Sequence, residues 1–211
     1  MNNESSSDRF IELHSELVEM PEYQLFLQLR TLNTPIYIFE QNYVELKLLI
    51  EYVTDDPEGI TLGAVRNRDK LEEIHRELIR RLHNFVSSVL SLIDHTRNLY
   101  RKMYEGTDLF PEYTGRVKAE FANDPLSQFV IKLRQYCQHY QSPDIGTIFS
   151  LTREKEKIYE ERVVVLFLEN LKKFDGWNAK AREYMETLGD EIDILNLVTS
   201  YREKVIKFYR W

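Results

Sequence analysis

The stretch LEEIHRELIRRLHNFVSSVLSLIDHTRNLYRKM, residues 71–103, decides the fold of this chain. Its mostly apolar stripe recurs at intervals of three and four residues without an intervening Gly or Pro: Leu71, Ile74, Leu78, Leu82, Phe85, Val89, Ile93, Thr96, Tyr100 and Met103. This spacing lies on one helix face. Over residues 65–104 it predicts one helix of roughly 40 residues and about 60 Å. Because so long a face needs partners, we expect a bundle spine or an oligomer interface.

Shorter helices are predicted before and after this spine. N-terminal to it, caps and periodicity predict helices over residues 6–19, 21–32 and 36–53, with a break at 33–35 and a turn at 55–59. Gly106 ends the spine, and a short helix follows over 111–121. The pair Asp124-Pro125 then begins a helix over 126–140, because Asp is a good N-cap and Pro fits the first helical position.

The pattern changes after Pro143. Residues 147–151 and 163–168 are rich in β-branched and large apolar side chains, and a charged stretch separates them. This predicts a small β-hairpin with a solvated tip, and one charged helix is the alternative. Two closing helices follow over 177–188 and 192–211. We therefore predict a mainly all-α fold, with a helical bundle over residues 1–143 and the hairpin plus closing helices over 144–211, packed on the same domain.

Composition and charge exclude several classes of protein. The chain has 211 residues, 43% of them hydrophobic, and a net charge of −7, which argues against a protein that coats nucleic acid. One cysteine, Cys137, excludes a disulfide framework. No apolar run approaches the ~18 residues of a membrane span, and the N-terminus lacks signal-peptide features. We expect a cytoplasmic protein that does not enter a membrane.

The charge is unevenly distributed along the chain. Residues 1–60 carry 3 basic and 12 acidic side chains, whereas residues 61–141 carry 13 and 10. The middle segment contains a basic stretch interleaved with Glu72, Glu73 and Glu77: Arg66, Arg68, Lys70, Arg76, Arg80 and Arg81. A solvated helix face with ion pairs at i,i+4 is one interpretation, and a surface that faces phosphate is the other.

Most catalytic signatures are absent from the sequence. It has no glycine-rich phosphate loop, no Gly-x-Ser-x-Gly elbow and no His-Glu-x-x-His motif. Glu72 and His75 form a single Glu-x-x-His step, and a di-metal bundle needs two. We therefore expect no metal and no cofactor. Cys137 is expected to be a small core residue rather than a nucleophile.

The candidate site lies in LRQYCQHYQSP, residues 133–143. It resembles the Arg-x4–6-His motif of the HEPN superfamily of helical domains, and the preceding NFVSS (84–88) and IDH (93–95) resemble the helix before that motif in bacterial HEPN-like proteins. The resemblance covers residues 65–143. It implies a metal-independent endoribonuclease of toxin or phage-defence systems, with a site shared between two subunits. Arg134 and His139 would be catalytic, and Gln135 and Tyr140 would support substrate binding.

The residue types suit RNA cleavage independently of the family resemblance. Cleavage through a ribose 2′-hydroxyl needs a base, and the ordinary pKa of histidine, about 6.5, allows proton exchange near neutrality. Arginine stays charged and binds phosphate oxygens in a forked geometry. Five residues along a helix turn about 500°, so the side chains of Arg134 and His139 project roughly 140° apart. A two-fold homodimer would bring two such pairs to one groove.

Spacing alone does not select this pair. Arg9 and His14, Arg68 and His75, and Arg76 and His83 have allowed spacings too. Catalytic members of the superfamily commonly have Asn, Asp or His after the arginine, where this chain has Gln135. Two alternatives therefore stay open for the pair: a structural role, with His at a helix end, and RNA binding without catalysis. For the whole protein, the alternative is a non-catalytic helical scaffold that presents a surface to a partner protein.

Overall fold

The computed structural model describes residues 6–62, 68–154 and 157–211. It confirms the mainly all-α prediction, with one small antiparallel sheet. The helices are α1 (Ser6–Glu19), α2 (Pro21–Arg30), α3 (Asn33–Asp55), α4 (Pro57–Leu62), α5 (Arg68–Met103), α6 (Glu112–Val117), α7 (Pro125–His139), α8 (Leu168–Lys172), α9 (Ala179–Glu186) and α10 (Ile194–Tyr209), and the strands are β1 (Ile145–Glu154), β2 (Lys157–Phe167) and β3 (Glu191–Asp193). Among the described helices, none has the length and apolar character needed to cross a bilayer.

Helix α5 is the predicted spine. It has 36 residues, while positions 65–67 of the prediction lie outside the described residues. Its predicted stripe is buried in the middle of the helix, at Leu78, Leu82, Phe85, Val89 and Thr96. The ring centroids of Phe39 and Phe85 are 5.5 Å apart, and Arg81 donates to the carbonyl of Glu45 at 2.6 Å. These contacts pair α3 and α5 in antiparallel directions.

The other long helices complete the bundle around this pair. Helix α7 packs on α5 through one side and on α9 through the other, where the ring centroids of Phe129 and Tyr184 are 5.1 Å apart. Helix α10 packs on α3. Arg202 on α10 donates two hydrogen bonds to the carboxylate of Glu40, and its guanidinium lies 4.9 Å from the ring centroid of Tyr43.

The predicted hairpin is present and is longer than expected. Strand β1 pairs with β2 from Ile145↔Leu166 to Glu154↔Lys157, so most of the charged stretch between the apolar segments is strand rather than tip. Two elements that the sequence did not predict follow. Helix α8 comes directly after β2, and β3 adds a third strand that pairs antiparallel with Val165–Phe167.

Three boundaries differ from the predictions for local reasons. The break expected at 33–35 lies instead at residues 31–32, because α3 already begins at Asn33 and its first turn tolerates Pro35. The expected turn at 55–59 is wrong in its second half: α4 begins at Pro57, after Asp56 accepts a hydrogen bond from the backbone of Glu58 at 2.8 Å. The helix predicted over 111–121 is α6 continued by a π-helical segment, Lys118–Ala122.

One cluster of buried side chains draws on both predicted parts of the chain. It includes Phe39, Leu82 and Leu133 from the helical bundle, together with Leu166 and Tyr201 from the segment after Pro143, all of them fully buried. The hairpin base and the closing helices therefore complete the same hydrophobic core as α3, α5 and α7.

The start of α7 is fixed by the predicted N-cap, Asp124. Its carboxylate accepts hydrogen bonds from the backbone and hydroxyl of Ser127, at 2.8 and 2.6 Å, and forms an ion pair with Lys204 of α10 at 2.5 Å. Burial by itself would raise the pKa of Asp124, but the hydrogen bonds from Lys204 and Ser127 outweigh it, so the pKa lies below its ordinary value of 3.8. The charged cap thus joins α7 to α10.

We expect Asp124→Ala to lower the free energy of unfolding by about 1–2 kcal/mol, because it removes the cap and leaves Lys204 without its carboxylate. Asp124→Asn retains a capping oxygen and should cost less. Since folding lowers the pKa of Asp124, its stabilisation is complete above the ordinary pKa and is lost as the pH falls through the lowered value. Urea unfolding at several pH values measures this pH dependence of the free energy of unfolding. An equal pH dependence in Asp124→Asn would contradict the assignment to the Asp124 carboxylate.

Candidate functional site

Helix α7 carries three of the four predicted site residues, Tyr140 follows it as the C-cap, and the buried face of the helix fixes where they lie. Phe129, Val130, Leu133 and Tyr136 are fully or almost fully buried against the core. With this face turned inward, the remaining positions of the helix must lie at its margins or in solvent.

Arg134 lies at the margin of the buried face and is half-buried. Its Nε atom is enclosed and has no hydrogen-bond partner, and the side chain forms no ion pair with the described residues. One turn later, Gln138 donates a hydrogen bond to the hydroxyl of Ser87 on α5 at 3.0 Å. Since residues i and i+4 share a helix face, Arg134 occupies the side of α7 that is turned toward α5.

His139 is exposed and is the last residue of α7. A histidine at this position lies at the negative end of the helix dipole. No hydrogen bond, ion pair or ring contact joins His139 to Arg134 in the described structure. Within one chain the two predicted catalytic residues therefore make no direct contact, and their positions on α7 project roughly 140° apart.

The two supporting candidates have different surroundings. Gln135 is half-buried and its side-chain oxygen accepts a hydrogen bond from Lys132 Nζ at 3.1 Å. Tyr140 caps α7 and is 52% exposed, with its ring 5.1 Å from Phe174 and its backbone N–H donating to Tyr136 at 3.0 Å. Both side chains are accessible at the end of α7.

Lys132 is a basic residue that the sequence analysis missed. It lies seven residues before His139, and seven residues turn about 700°, so the two side chains share one face of α7. Gln135 lies between them and bonds to Lys132. The spacing of three and seven residues was available in the sequence. The face defined by Lys132, Gln135 and His139, hereafter the α7 polar face, is one basic and hydrogen-bonding surface.

The other arginine–histidine pairs of the same spacing have different environments. Arg9 forms an exposed ion pair with Glu12 at 2.8 Å, and Arg76 donates to the carbonyl of Glu72 at 3.3 Å. The side-chain environment of Arg68 lies outside the described residues. Half-buried Arg134 thus has no acceptor among the residues that the structure describes, in contrast to Arg9 and Arg76.

Part of the basic stretch at the start of α5 is ion-paired with an acid of the same helix. Glu77 accepts hydrogen bonds from Arg80 at 2.6 Å and Arg81 at 2.7 Å. These two bonds, with that from Arg80 the stronger, lower the pKa of Glu77 to about 2. The ion-paired interpretation therefore fits this segment better than a surface that faces phosphate.

The Cys137 thiol and the metal-ligating side chains of the described residues give no second candidate site. Cys137 is partly buried, and burial raises the pKa of its thiol to about 12, as expected of a core residue. Within the described ranges, no three His, Cys, Asp or Glu side chains are grouped as a metal site requires.

Comparison with known proteins finds no relative of this chain. No protein-family model, no curated protein and no solved structure matches this chain. The candidate site consequently rests on its own residues and geometry.

We expect Cys137 to react slowly with a thiol reagent such as dithionitrobenzoate at pH 8, because only the thiolate attacks and burial keeps the thiol protonated. Reaction should become fast and stoichiometric in denaturant. Absorbance of the released thionitrobenzoate measures both rates. Rapid modification of the folded protein would show that the thiol is accessible and ionised.

Proposed function

We propose that the protein is a metal-independent endoribonuclease of the HEPN-like type, acting on RNA as a cytoplasmic homodimer. The observation that supports this most is the half-buried Arg134, for which the described part of the chain provides no acceptor, on the helix that ends at the exposed His139. A partly desolvated cation needs a counter-charge. A phosphodiester provides one, with oxygens spaced for the forked guanidinium.

The proposed reaction assigns one role to each residue. His139 removes the proton from a ribose 2′-hydroxyl, and the 2′-oxygen attacks the adjacent phosphorus. Arg134 stabilises the negative charge that grows on the phosphoryl oxygens. The bond to the 5′-oxygen breaks, and His139 returns the proton to that oxygen. The products are a 2′,3′-cyclic phosphate and a 5′-hydroxyl end, which balances the proton and the electron pair.

The proposal requires a second copy of the chain. Arg134 lies toward α5 whereas His139 lies on the α7 polar face, about 140° around the helix. Two-fold symmetry places the arginine of one copy opposite the histidine of the other, and so completes a composite site. In that arrangement Lys132 binds a neighbouring phosphate, while Gln135 and Tyr140 contact the nucleotide. The resemblance places such an enzyme in a toxin or phage-defence system.

We expect the purified protein to cleave RNA in EDTA, and His139→Ala to lower the cleavage rate about 10²–10⁴-fold, since it removes the base. Arg134→Ala should lower it about 10²-fold or more. His95→Ala is the matched control, because His95 is also exposed but lies on α5. Gel analysis of a labelled RNA measures the rates, and a substrate with 2′-deoxy nucleotides should resist cleavage.

Mixing the two inactive variants tests whether the site is shared. Random exchange between Arg134→Ala and His139→Ala dimers produces hybrids with one intact composite site, so about a quarter of the wild-type rate should return. Absence of recovery despite confirmed exchange would contradict a shared site. Absence of cleavage by dimeric wild-type protein would contradict the nuclease proposal itself.

A second candidate function is a non-catalytic interaction protein, and the N-terminal helices favour it. Neither α1 nor α2 contains a buried residue. They expose a large set of apolar side chains, here called the N-terminal apolar surface: Phe10, Ile11, Leu13, Leu17, Met20, Leu25, Phe26 and Leu29. Exposure on this scale is typical of a docking surface. Residues 1–60 are strongly acidic, so the occupant would be a protein groove with an apolar floor and a basic rim.

For this candidate we expect a partner, once identified and purified, to bind the chain with an affinity that falls as salt rises, because the acidic rim contributes attraction. Phe26→Glu should weaken binding at least tenfold, since it places a charge in the apolar contact. Phe149→Glu is the matched control, because Phe149 is 51% exposed but lies on β1. Calorimetry measures both. Equal binding by the two variants would exclude this surface.

A further inference from the structure

A cavity of about 140 Å³ lies inside the bundle, between α5, α7, α10 and the π-helical segment that follows α6. Its wall is mainly apolar and aromatic, with Leu92, Ile131, Val205 and Phe208 among the lining residues. One end reaches the surface beside Ala122, which is exposed. Arg134 and His139 do not line this cavity, so whatever it holds is separate from the proposed nuclease site.

The buried polar groups of the wall are satisfied, with one exception. Thr96 donates to the carbonyl of Leu92 at 2.8 Å and accepts a hydrogen bond from the hydroxyl of Tyr209. Gln128 donates to the carbonyl of Phe121 at 3.1 Å and accepts from Asn178 at 2.6 Å. At the mouth, Arg97 is paired with Asp94 at 3.3 Å.

The exception is Tyr201, which is fully buried. Its hydroxyl has no hydrogen-bond partner within the described residues. Burial raises the pKa of this phenol, so the group is a neutral donor throughout the physiological range. A buried donor without an acceptor is costly.

We propose that this cavity is a binding site for a small neutral molecule with an apolar body and one acceptor oxygen, which accepts the hydrogen bond of Tyr201. The volume supports a single ring or a short chain, since an apolar cavity of ~150 Å³ in another protein binds benzene. The wall supports a neutral ligand, because its charged residue Arg97 already has a carboxylate partner. The ligand enters beside Ala122 and lies against α5, α7 and α10.

Two probes of similar shape separate the hydrogen bond from the apolar contact. Acetophenone carries a carbonyl acceptor, and cumene has the same number of heavy atoms without one. By calorimetry, wild-type protein should bind acetophenone about fivefold more tightly than cumene, the usual size of one hydrogen bond. Tyr201→Phe should lose this preference and still bind cumene. The variant should fold, because it removes a hydroxyl that has no protein partner.

A pair of alanine substitutions tests the location. Ala122→Phe places a ring at the cavity mouth and should abolish binding of both probes. Ala119→Phe makes the same change at an exposed position of the same π-helical segment, away from the cavity, and should leave binding unchanged. Failure of wild-type protein to bind either probe, equal affinity for the two, or equal effects of the two alanine variants would overturn the proposal. RNA cleavage does not enter any of these outcomes.

Discussion

The apolar face of α5 must be covered along a helix of 36 residues, about 54 Å, and this requirement organises the rest of the molecule. Different partners cover successive parts of it. Helix α3 covers the first half, through the contact between Phe39 and Phe85. Helix α7 covers the middle, and near the C-terminal end Tyr100 stacks on Tyr113 with centroids 4.0 Å apart. No single neighbour is long enough, so segments distant in sequence converge on one helix.

This covering role determines what α7 offers to solvent. Because Phe129, Leu133 and Tyr136 are committed to the core, the rotation of α7 about its axis is fixed. Lys132 and His139 then share its outer face, while Arg134 remains at the boundary with α5. The arrangement separates the two predicted catalytic side chains within one chain, and the packing that stabilises the bundle is the cause of that separation.

The sequence predicts elements that depend on local signals, and the structure confirms α5, the Asp124 cap of α7 and the hairpin. It does not predict β3, because a three-residue strand has no periodicity and exists only through its pairing with Val165–Phe167. The candidate site likewise combines a feature that local sequence signals predict with one that depends on packing. Lys132 could have been found from its seven-residue spacing to His139. The unpartnered state of Arg134 could not, since it depends on which side chains α5 places nearby.

The base of the hairpin is supported by more contacts than its outer end. Its base is held on one side by β3 and carries the buried Ile145 and Val164, whereas Phe149 and Leu151 farther along β1 face solvent. The outer rungs, toward Glu154↔Lys157, form a ribbon of only two strands, which has little stability by itself. We therefore expect its amide protons to exchange through local fraying that leaves the bundle folded, with the distal ribbon as a separate cooperative unit.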